Sequence, residues 1–133
     1  MITAVADSHV LNWYLSGDKP LSDSARQHLE TTLTNRDQIA VSTISIVELI
    51  YLTEKGRIGS KILTSLTTDL SEANGLFKEI PLDIQVARAF TRIVHADIPE
   101  MFDRVIAATA LMLNVPLITA DHKIRAANIP TIW

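Results

Sequence analysis

The chain has 133 residues, of which 47% are hydrophobic, and this composition excludes a disordered or collagen-like protein. Cysteine is absent, which excludes a disulfide scaffold, a thiol nucleophile and a zinc site built on thiolates. The formal net charge of −3 argues against a protein that coats nucleic acid mainly by charge, although clustered metal-binding carboxylates would bias this count.

The same features predict where the chain works and how it is organised. No apolar run approaches the roughly 20 residues of a membrane-spanning helix. The N-terminal apolar run lacks the basic segment that precedes it in a signal peptide. The sequence shows no repeat and no linker-like stretch. We therefore expect a cytoplasmic protein without a membrane anchor, folded as one domain over residues 1–133.

Short apolar runs rich in β-branched residues alternate with longer segments of helical period. The runs predict strands at residues 2–6, 38–41, 76–80 and 115–119, with a short last strand at 131–133. Helices are predicted at residues 22–33, 44–52, 84–94 and 102–113. This alternation predicts a parallel sheet covered on both faces. Such sheets bind ligands beyond the carboxyl ends of their strands.

Two aspartates stand at predicted strand ends, where this architecture places its chemistry. Asp7 follows the first strand directly, and Asp121 follows the fourth by one residue. Either could instead simply cap a helix, since Asp is a common N-cap. Thr119, two residues before Asp121, would share its face of an extended strand and could bind a carboxylate or act as an inert strand end.

Two further acids lie on predicted helices. Glu48 is the only charge within residues 44–52, a helix apolar nearly all round that we expect to be largely buried. Burying a carboxylate without a partner costs free energy, so a metal ion is the simplest partner for Glu48. The alternative is that Glu48 lies with Ser45 on a narrow, solvent-exposed stripe of the helix. Asp103 opens the predicted helix at residues 102–113, where it could interact favourably with the helix dipole or pair with Arg104.

Several stretches together match a known family. Residues 103–111 and 115–124 resemble the C-terminal half of PIN-domain nucleases, in particular the VapC-type toxins of toxin–antitoxin pairs. Residues 5–8 and 41–49 are similar to the first two motifs of that family, in the same order. The resemblance covers nearly the whole chain, and the C-terminal motif is its most specific part.

The resemblance implies a three-layer α/β/α sandwich around a parallel sheet. It also implies an endoribonuclease that depends on a divalent metal and, as a toxin, inhibits translation. The acidic tetrad of the family corresponds to Asp7, Glu48, Asp103 and Asp121, with Thr119 as the hydroxyl before the last aspartate. A cognate antitoxin is the implied partner. Many relatives have proline at the position of Phe102, so the entry to that helix is expected to differ.

The chemistry of the acids suits Mg²⁺ or Mn²⁺, because the ligands are hard oxygens without His or Cys. We predict that Asp7, Asp103 and Asp121 coordinate metal, while Glu48 ligates through water or positions the attacking water. In-line attack by water would leave a 5′-phosphate and a 3′-hydroxyl. Asp97 is an additional acid near the site, for which a loop role is favoured.

Contacts to RNA are less defined by the sequence. Lys55, Arg57 and Lys61 form a basic, glycine-containing segment that could follow phosphates or form a solvated loop. Trp13 and Tyr14 could stack on unpaired bases, but their helical spacing favours a core or interface position. The apolar composition favours a surface covered by a partner, and a homodimer and an antitoxin are both candidates.

Two other functions are alternatives to a nuclease. A phosphatase of the haloacid-dehalogenase type needs a second Asp two residues after Asp7, where this chain has His9. A receiver domain needs a lysine after a late strand, and Lys123 is a weak match. Neither explains Glu48. The other rival is a non-catalytic PIN-like module that binds RNA or protein, for which a complete acidic tetrad would be unnecessary.

Overall fold

The computed structural model describes residues 1–18 and 20–133. Five strands in these ranges form one sheet: β1 (Ile2–Ala6), β2 (Gln38–Ser42), β3 (Phe77–Ile80), β4 (Leu117–Ile118) and β5 (Thr131–Ile132). Their order across the sheet is β3-β2-β1-β4-β5, and every neighbouring pair is parallel. The strand order changes direction between β1 and β4, which is where open parallel sheets form a ligand crevice.

Helices cover both faces of this sheet. In the described ranges they are α1 (Ser8–Ser16), α2 (Asp23–Thr34), α3 (Thr43–Glu54), α4 (Ser60–Ser71), α5 (Ile84–Phe90), α6 (Met101–Leu113) and α7 (His122–Ala126). None of these helices is long and apolar enough to cross a membrane.

The strands divide their side chains between two separate cores. Ala4 and Ala6 of β1 join one core with residues of α1, α2, α3 and α4. Val5 lies between them in sequence and joins the other core, which α5, α6 and α7 complete. In β4, Ile118 and Leu117 divide in the same way, because successive side chains of a strand point to opposite faces. The three-layer α/β/α fold predicted from the sequence is thereby confirmed.

Most predicted elements are present with shifted ends. The first strand, residues 2–6, is confirmed at both bounds, and Ser22 caps α2 as predicted by accepting a hydrogen bond from the Ala25 N–H at 3.1 Å. The predicted strand at 115–119 is wrong in length, because β4 holds only two residues. Three helices that the sequence did not assign, α1, α4 and α7, are also present.

The predicted helix over 84–94 is too long, and the cause is a single arginine. The α-helix ends at Phe90, and the Arg104 side chain from α6 donates hydrogen bonds to the Ile93 carbonyl through Nε at 3.0 Å and Nη2 at 2.7 Å. The guanidinium also lies 4.1 Å from the centroid of the Phe90 ring. Arg104 therefore links the turn that follows α5 to helix α6. Its guanidinium is engaged in these contacts and not beside Asp103.

The expectation that α3 is largely buried is wrong. Ser45 and Leu49 are its buried residues, whereas Val47, Ile50 and Tyr51 are 47%, 39% and 54% exposed. Apolar residues all round a helix therefore do not mean a core position here; one side of α3 faces outward. The physical argument for a costly buried charge at Glu48 loses its premise, because Glu48 is half-buried.

A half-buried aspartate in α4 fixes the entry to β3. Asp69 accepts a hydrogen bond from the Leu76 N–H at 3.0 Å and another from the Phe77 N–H at 2.7 Å. The chain returns so closely that a Cβ on Gly75 would lie 2.2 Å from the Asp69 carbonyl oxygen. The Asp69 carboxylate, Gly75 and the start of β3 thus form one unit, which sets the position of this edge of the sheet.

Replacing Asp69 by Asn should destabilise the fold. The amide can accept one of the two backbone hydrogen bonds but presents an N–H₂ donor to the other, so we expect a loss of about 1–3 kcal/mol in the free energy of unfolding. Urea unfolding of Asp69→Asn measures this loss, with Glu72→Gln as the control that removes a neighbouring exposed charge. Equal stability of the two variants would contradict the prediction.

Candidate active site

Asp7 is a buried carboxylate at the carboxyl end of β1. Its backbone N–H donates to the Ile118 carbonyl at 3.2 Å, which ties the end of β1 to the end of β4. Its side chain caps α1 by accepting a hydrogen bond from the Val10 N–H at 2.9 Å. Asp7 is only 5% exposed, and burial raises its pKa, against the lowering effect of its hydrogen bonds with Thr119 and Val10. The carboxylate is held in place but poorly solvated.

Thr119 joins Asp7 to the next acid. The Thr119 hydroxyl is fully buried and forms a side-chain hydrogen bond with Asp7. The same oxygen accepts a hydrogen bond from the Asp121 N–H at 3.1 Å. Asp121 then caps α7, accepting from the Lys123 and Ile124 N–H groups at 2.9 and 3.0 Å. One hydroxyl therefore sets the relative position of two of the predicted site residues.

Asp103 lies in the first turn of α6, beside an acid that sequence reasoning missed. Glu100 caps this helix, and its Oε2 accepts a hydrogen bond from the Asp103 N–H at 2.9 Å. Burial is the first cause that raises the pKa of Asp103 to about 7, followed by the negative charges of Glu100, Asp121, Asp7 and Glu48. These five acids therefore share one electrostatic environment. Glu100 lies three residues before Asp103, which is the spacing of a helix cap. This spacing is the feature of the sequence from which Glu100 could have been predicted.

Among the described residues, no Lys or Arg side chain forms a salt bridge with this cluster, and His9 is the positive group that lowers the pKa of Asp7. Within residues 1–18 and 20–133, the one salt bridge joins the N-terminal amine to Asp37 at 3.2 Å, away from the acids. Arg104, the local candidate, is bound to the Ile93 carbonyl. The cluster thus keeps a mutual repulsion that a bound cation would relieve.

The donor set fits a hard divalent cation, although its arrangement is open. Asp7, Glu48, Asp103 and Asp121 offer carboxylate oxygens, which Mg²⁺ and Mn²⁺ prefer. In the described part of the chain, no three His, Asp or Glu residues are already gathered closely enough to hold a metal. A cleft of about 410 Å³ opens between Asp103 and Asp121, with Glu100 and Lys123 also on its walls. Asp103, Asp121 and Glu100 therefore border a space that solvent and substrate can enter.

Two buried hydroxyls near the acids were also missed from the sequence. Ser8 follows Asp7 in α1, and Ser45 precedes Glu48 by about one helical turn in α3. Neither hydroxyl oxygen has a hydrogen-bond partner among the described residues. Serine in an apolar helix gives no sequence signal for such a position, because its partners come from other elements.

The remaining predicted residues lie apart from the acids. Asp97 is exposed and lines a separate depression with Arg92 and Asn128, in agreement with a loop role. Lys55 lies 5.5 Å from the centroid of the Tyr51 ring.

Arg57 and Lys61 line a groove of about 670 Å³ that includes Ser16, at the C-terminal end of α1. Asp7 caps the opposite end of this nine-residue helix, roughly 13 Å away along its axis. The basic segment therefore does not form a wall of the acidic cleft, and its contact with RNA stays a prediction.

Comparison with known proteins identifies this arrangement. The family model described as "PIN domain" matches residues 4–129. The chain belongs to the PIN domain family. The match includes all four acids of the predicted tetrad, and it confirms the family resemblance that the motifs indicated.

Relatives of this PIN domain include a curated protein and solved structures. The chain is 29% identical over 136 residues to Ribonuclease VapC22 of Mycobacterium tuberculosis, and the match covers 100% of both chains. Its fold is similar to the VapBC2 complex from Rickettsia felis bound to a DNA fragment from their promoter, with TM-score 0.72, 20% identity, and 98% and 97% of the two chains covered. A toxin–antitoxin complex from Klebsiella pneumoniae gives TM-score 0.69 and 23% identity, covering 98% and 97%.

The raised pKa of Asp103 makes the stability of this PIN domain depend on pH. Between the ordinary value of 3.8 and about 7, the folded protein keeps a proton that the unfolded chain releases. Stability in EDTA should therefore fall as pH rises through this interval. Asp103→Asn removes the titrating group, so it should unfold at a higher temperature than the native chain at about pH 8 and show a shallower pH slope.

Thermal unfolding across this pH range measures both effects. Because the pKa of Asp7 is also raised, the Asp103→Asn variant should keep part of the pH dependence of its unfolding temperature. Asp97→Asn is the matched control, because it removes an exposed aspartate outside the cleft. An Asp103→Asn slope no different from that of Asp97→Asn would refute the repulsive acid cluster.

Proposed function

We propose that this chain is a divalent-metal-dependent endoribonuclease that hydrolyses RNA phosphodiester bonds, and that it is the toxin of a toxin–antitoxin pair that inhibits translation. The observation that carries the proposal is the uncompensated acid cluster at the switch point of a PIN-domain sheet. Similarity over the full chain to a protein named Ribonuclease VapC22 supports the activity. Similarity to toxin–antitoxin complexes supports the biological role.

The proposed roles follow from what each carboxylate contacts. Asp7 and Asp121 each have one oxygen engaged by backbone N–H groups, which orients the second oxygen toward a ligand. Burial, and after it the charges of the other acids, raise the pKa of Asp103, which would lose its proton when a cation binds. Thr119 fixes Asp7 relative to Asp121. Glu48, half-buried on α3, is assigned the positioning of the attacking water.

Asp7, Asp103 and Asp121 are the residues that would hold Mg²⁺ or Mn²⁺, with Glu48 as a further ligand through water. Bound there, the ion would lower the pKa of water and neutralise charge on the scissile phosphate. The helix ends contribute as well, because α1, α6 and α7 begin at Asp7, Glu100 and Asp121, three acids of the cluster, and helix N-termini favour anions. The protein residues themselves orient the phosphate and accept the proton of the attacking water.

The proposed protein partners are a cognate antitoxin and a second copy of the chain. The exposed side of α3, formed by Val47, Ile50 and Tyr51, is an apolar surface of the kind that protein interfaces cover. Size-exclusion chromatography with light scattering distinguishes a homodimer from a monomer.

Cleavage of RNA by the purified protein should require both the metal and Asp7. With Mn²⁺ or Mg²⁺ we expect cleavage of single-stranded RNA, and with EDTA we expect none. Asp7→Asn should lower kcat/KM at least about a hundredfold, since even residues that only support metal ligands are worth 10–100-fold. Asp97→Asn, an exposed aspartate outside the cleft, should retain activity. Cleavage that survives both EDTA and Asp7→Asn contradicts the proposal, and RNA binding without cleavage favours a non-catalytic module.

The ends of the RNA fragments give an independent test. Attack by water on the phosphate should leave a 5′-phosphate and a 3′-hydroxyl, because the 2′-hydroxyl of the RNA takes no part. Mass spectrometry of the fragments identifies these ends. A 2′,3′-cyclic phosphate would instead mean that the ribose itself is the nucleophile, and the roles assigned to the acids would then be wrong.

A further inference from the structure

A row of three aromatic rings lies next to the acids and has no part in the function so far. The rings of His9 and Trp13 have centroids 5.7 Å apart and are tilted by 42°. Trp13 and Trp133 have the same centroid distance, 5.7 Å, with a tilt of 51°. We call these three residues the aromatic row. Such distances and tilts are typical of interacting aromatic pairs.

Both ends of the aromatic row adjoin residues of the acidic site. His9 lies in the first turn of α1, two residues after Asp7, and Trp13 follows one helical turn later on the same side. Trp133 comes directly after β5, whose Ile132 carbonyl accepts a hydrogen bond from the Thr119 N–H at 3.2 Å. The two ends of the aromatic row therefore lie beside the carboxyl ends of β1 and β5, next to Asp7 and Thr119.

The three residues of the aromatic row differ in their exposure to solvent. Trp13 and Trp133 are partly buried and pack against the core on the α1 side of the sheet, whereas His9 is exposed. Tyr14, the neighbour of Trp13, instead packs edge-on against Phe77, with centroids 6.2 Å apart. Core packing thus accounts for Tyr14 and for the inner faces of the tryptophans. It does not account for an exposed imidazole that extends their row toward Asp7.

The charge of the protein makes such a surface useful to a nuclease. The net charge is −3, and the basic groove of Arg57 and Lys61 adjoins the far end of α1. Of the basic side chains, Lys123 lines the acidic cleft, so attraction of phosphate near the acids comes from few positive groups. Stacking of bases on aromatic rings binds single strands without positive charge and without strict sequence preference.

We propose that the aromatic row of His9, Trp13 and Trp133 is a stacking platform for an unpaired base of the RNA, adjacent to the phosphate that is cut. This inference rests on the proposed ribonuclease function and adds one requirement for its single-stranded substrate: at least one unstacked base beside the cleavage site.

The chain provides its own probe for this platform. It contains two tryptophans, and both belong to the aromatic row. Adding an oligoadenylate of about ten nucleotides in EDTA, where cleavage is prevented, should quench tryptophan fluorescence. Inorganic polyphosphate carries similar charge without bases and should not. Quenching by both probes equally, or by neither, would overturn the inference.

Variants of the exposed residue test the platform without disturbing the core. With a fluorescein-labelled oligoadenylate in EDTA, His9→Ala should weaken binding roughly tenfold, while His9→Phe, which keeps a ring, should bind like the native chain. His95→Ala removes another exposed histidine and is the matched control. Trp133→Ala and Trp133→Phe form a second pair, with thermal unfolding as the check on folding. Equal affinity of His9→Ala and His95→Ala would refute the platform.

Cleavage assays separate this inference from the proposed function. In Mn²⁺, His9→Ala should raise KM roughly tenfold with a smaller effect on kcat, because the base is bound before and during the reaction. Cleavage by His9→Ala with an unchanged KM would agree with the ribonuclease function and contradict the stacking platform. Base-dependent quenching without any cleavage would retain the platform and remove the catalytic proposal.

Discussion

The parallel pairing of β1 with β4 is the constraint on which the site depends. Val5 and Ala6 are in register with Leu117 and Ile118, and the Asp7 N–H continues this ladder to the Ile118 carbonyl. Asp7 and Thr119 come immediately after the paired residues. Any shift of register by one residue would turn Ile118 and Leu117 to the wrong cores and separate the carboxylate from its hydroxyl. The two hydrophobic cores therefore hold the geometry of the acids.

The capping role and the proposed metal-binding role of the acids are compatible. Sequence reasoning set them as alternatives for Asp7 and Asp121, yet both residues cap helices and belong to the acid cluster. A capping carboxylate uses one oxygen for backbone N–H groups and lies at the positive end of the helix dipole. Helix starts thus offset part of the repulsion that the cluster creates. Asp103 lies within the first turn of α6 instead of capping it, and its carboxylate has a strongly raised pKa.

The layers of the fold could be predicted from the sequence more accurately than the contacts that position the site. Strand alternation along β1 and the capping residue Ser22 follow from local chemistry, so they were predictable. Arg104 was not, because its partner Ile93 lies on the preceding turn and shortens α5 through a tertiary contact. For Glu48, the expected location beside the acids agrees with its effect on the pKa of Asp103, although the premise of a buried helix was wrong. Hydrophobicity alone does not distinguish a core helix from one with an exposed apolar side.

A negatively charged protein that binds a polyanion must confine its attraction to a small region. Here, the acids repel one another and the helix starts of α1, α6 and α7 offset that repulsion only in part. In the proposed mechanism the divalent ion reverses the local charge, so phosphate binding and metal binding become coupled. The aromatic row adds affinity that does not depend on charge. RNA held in this way would enter as a single strand, because a base stacked within a duplex has no free face to offer to His9.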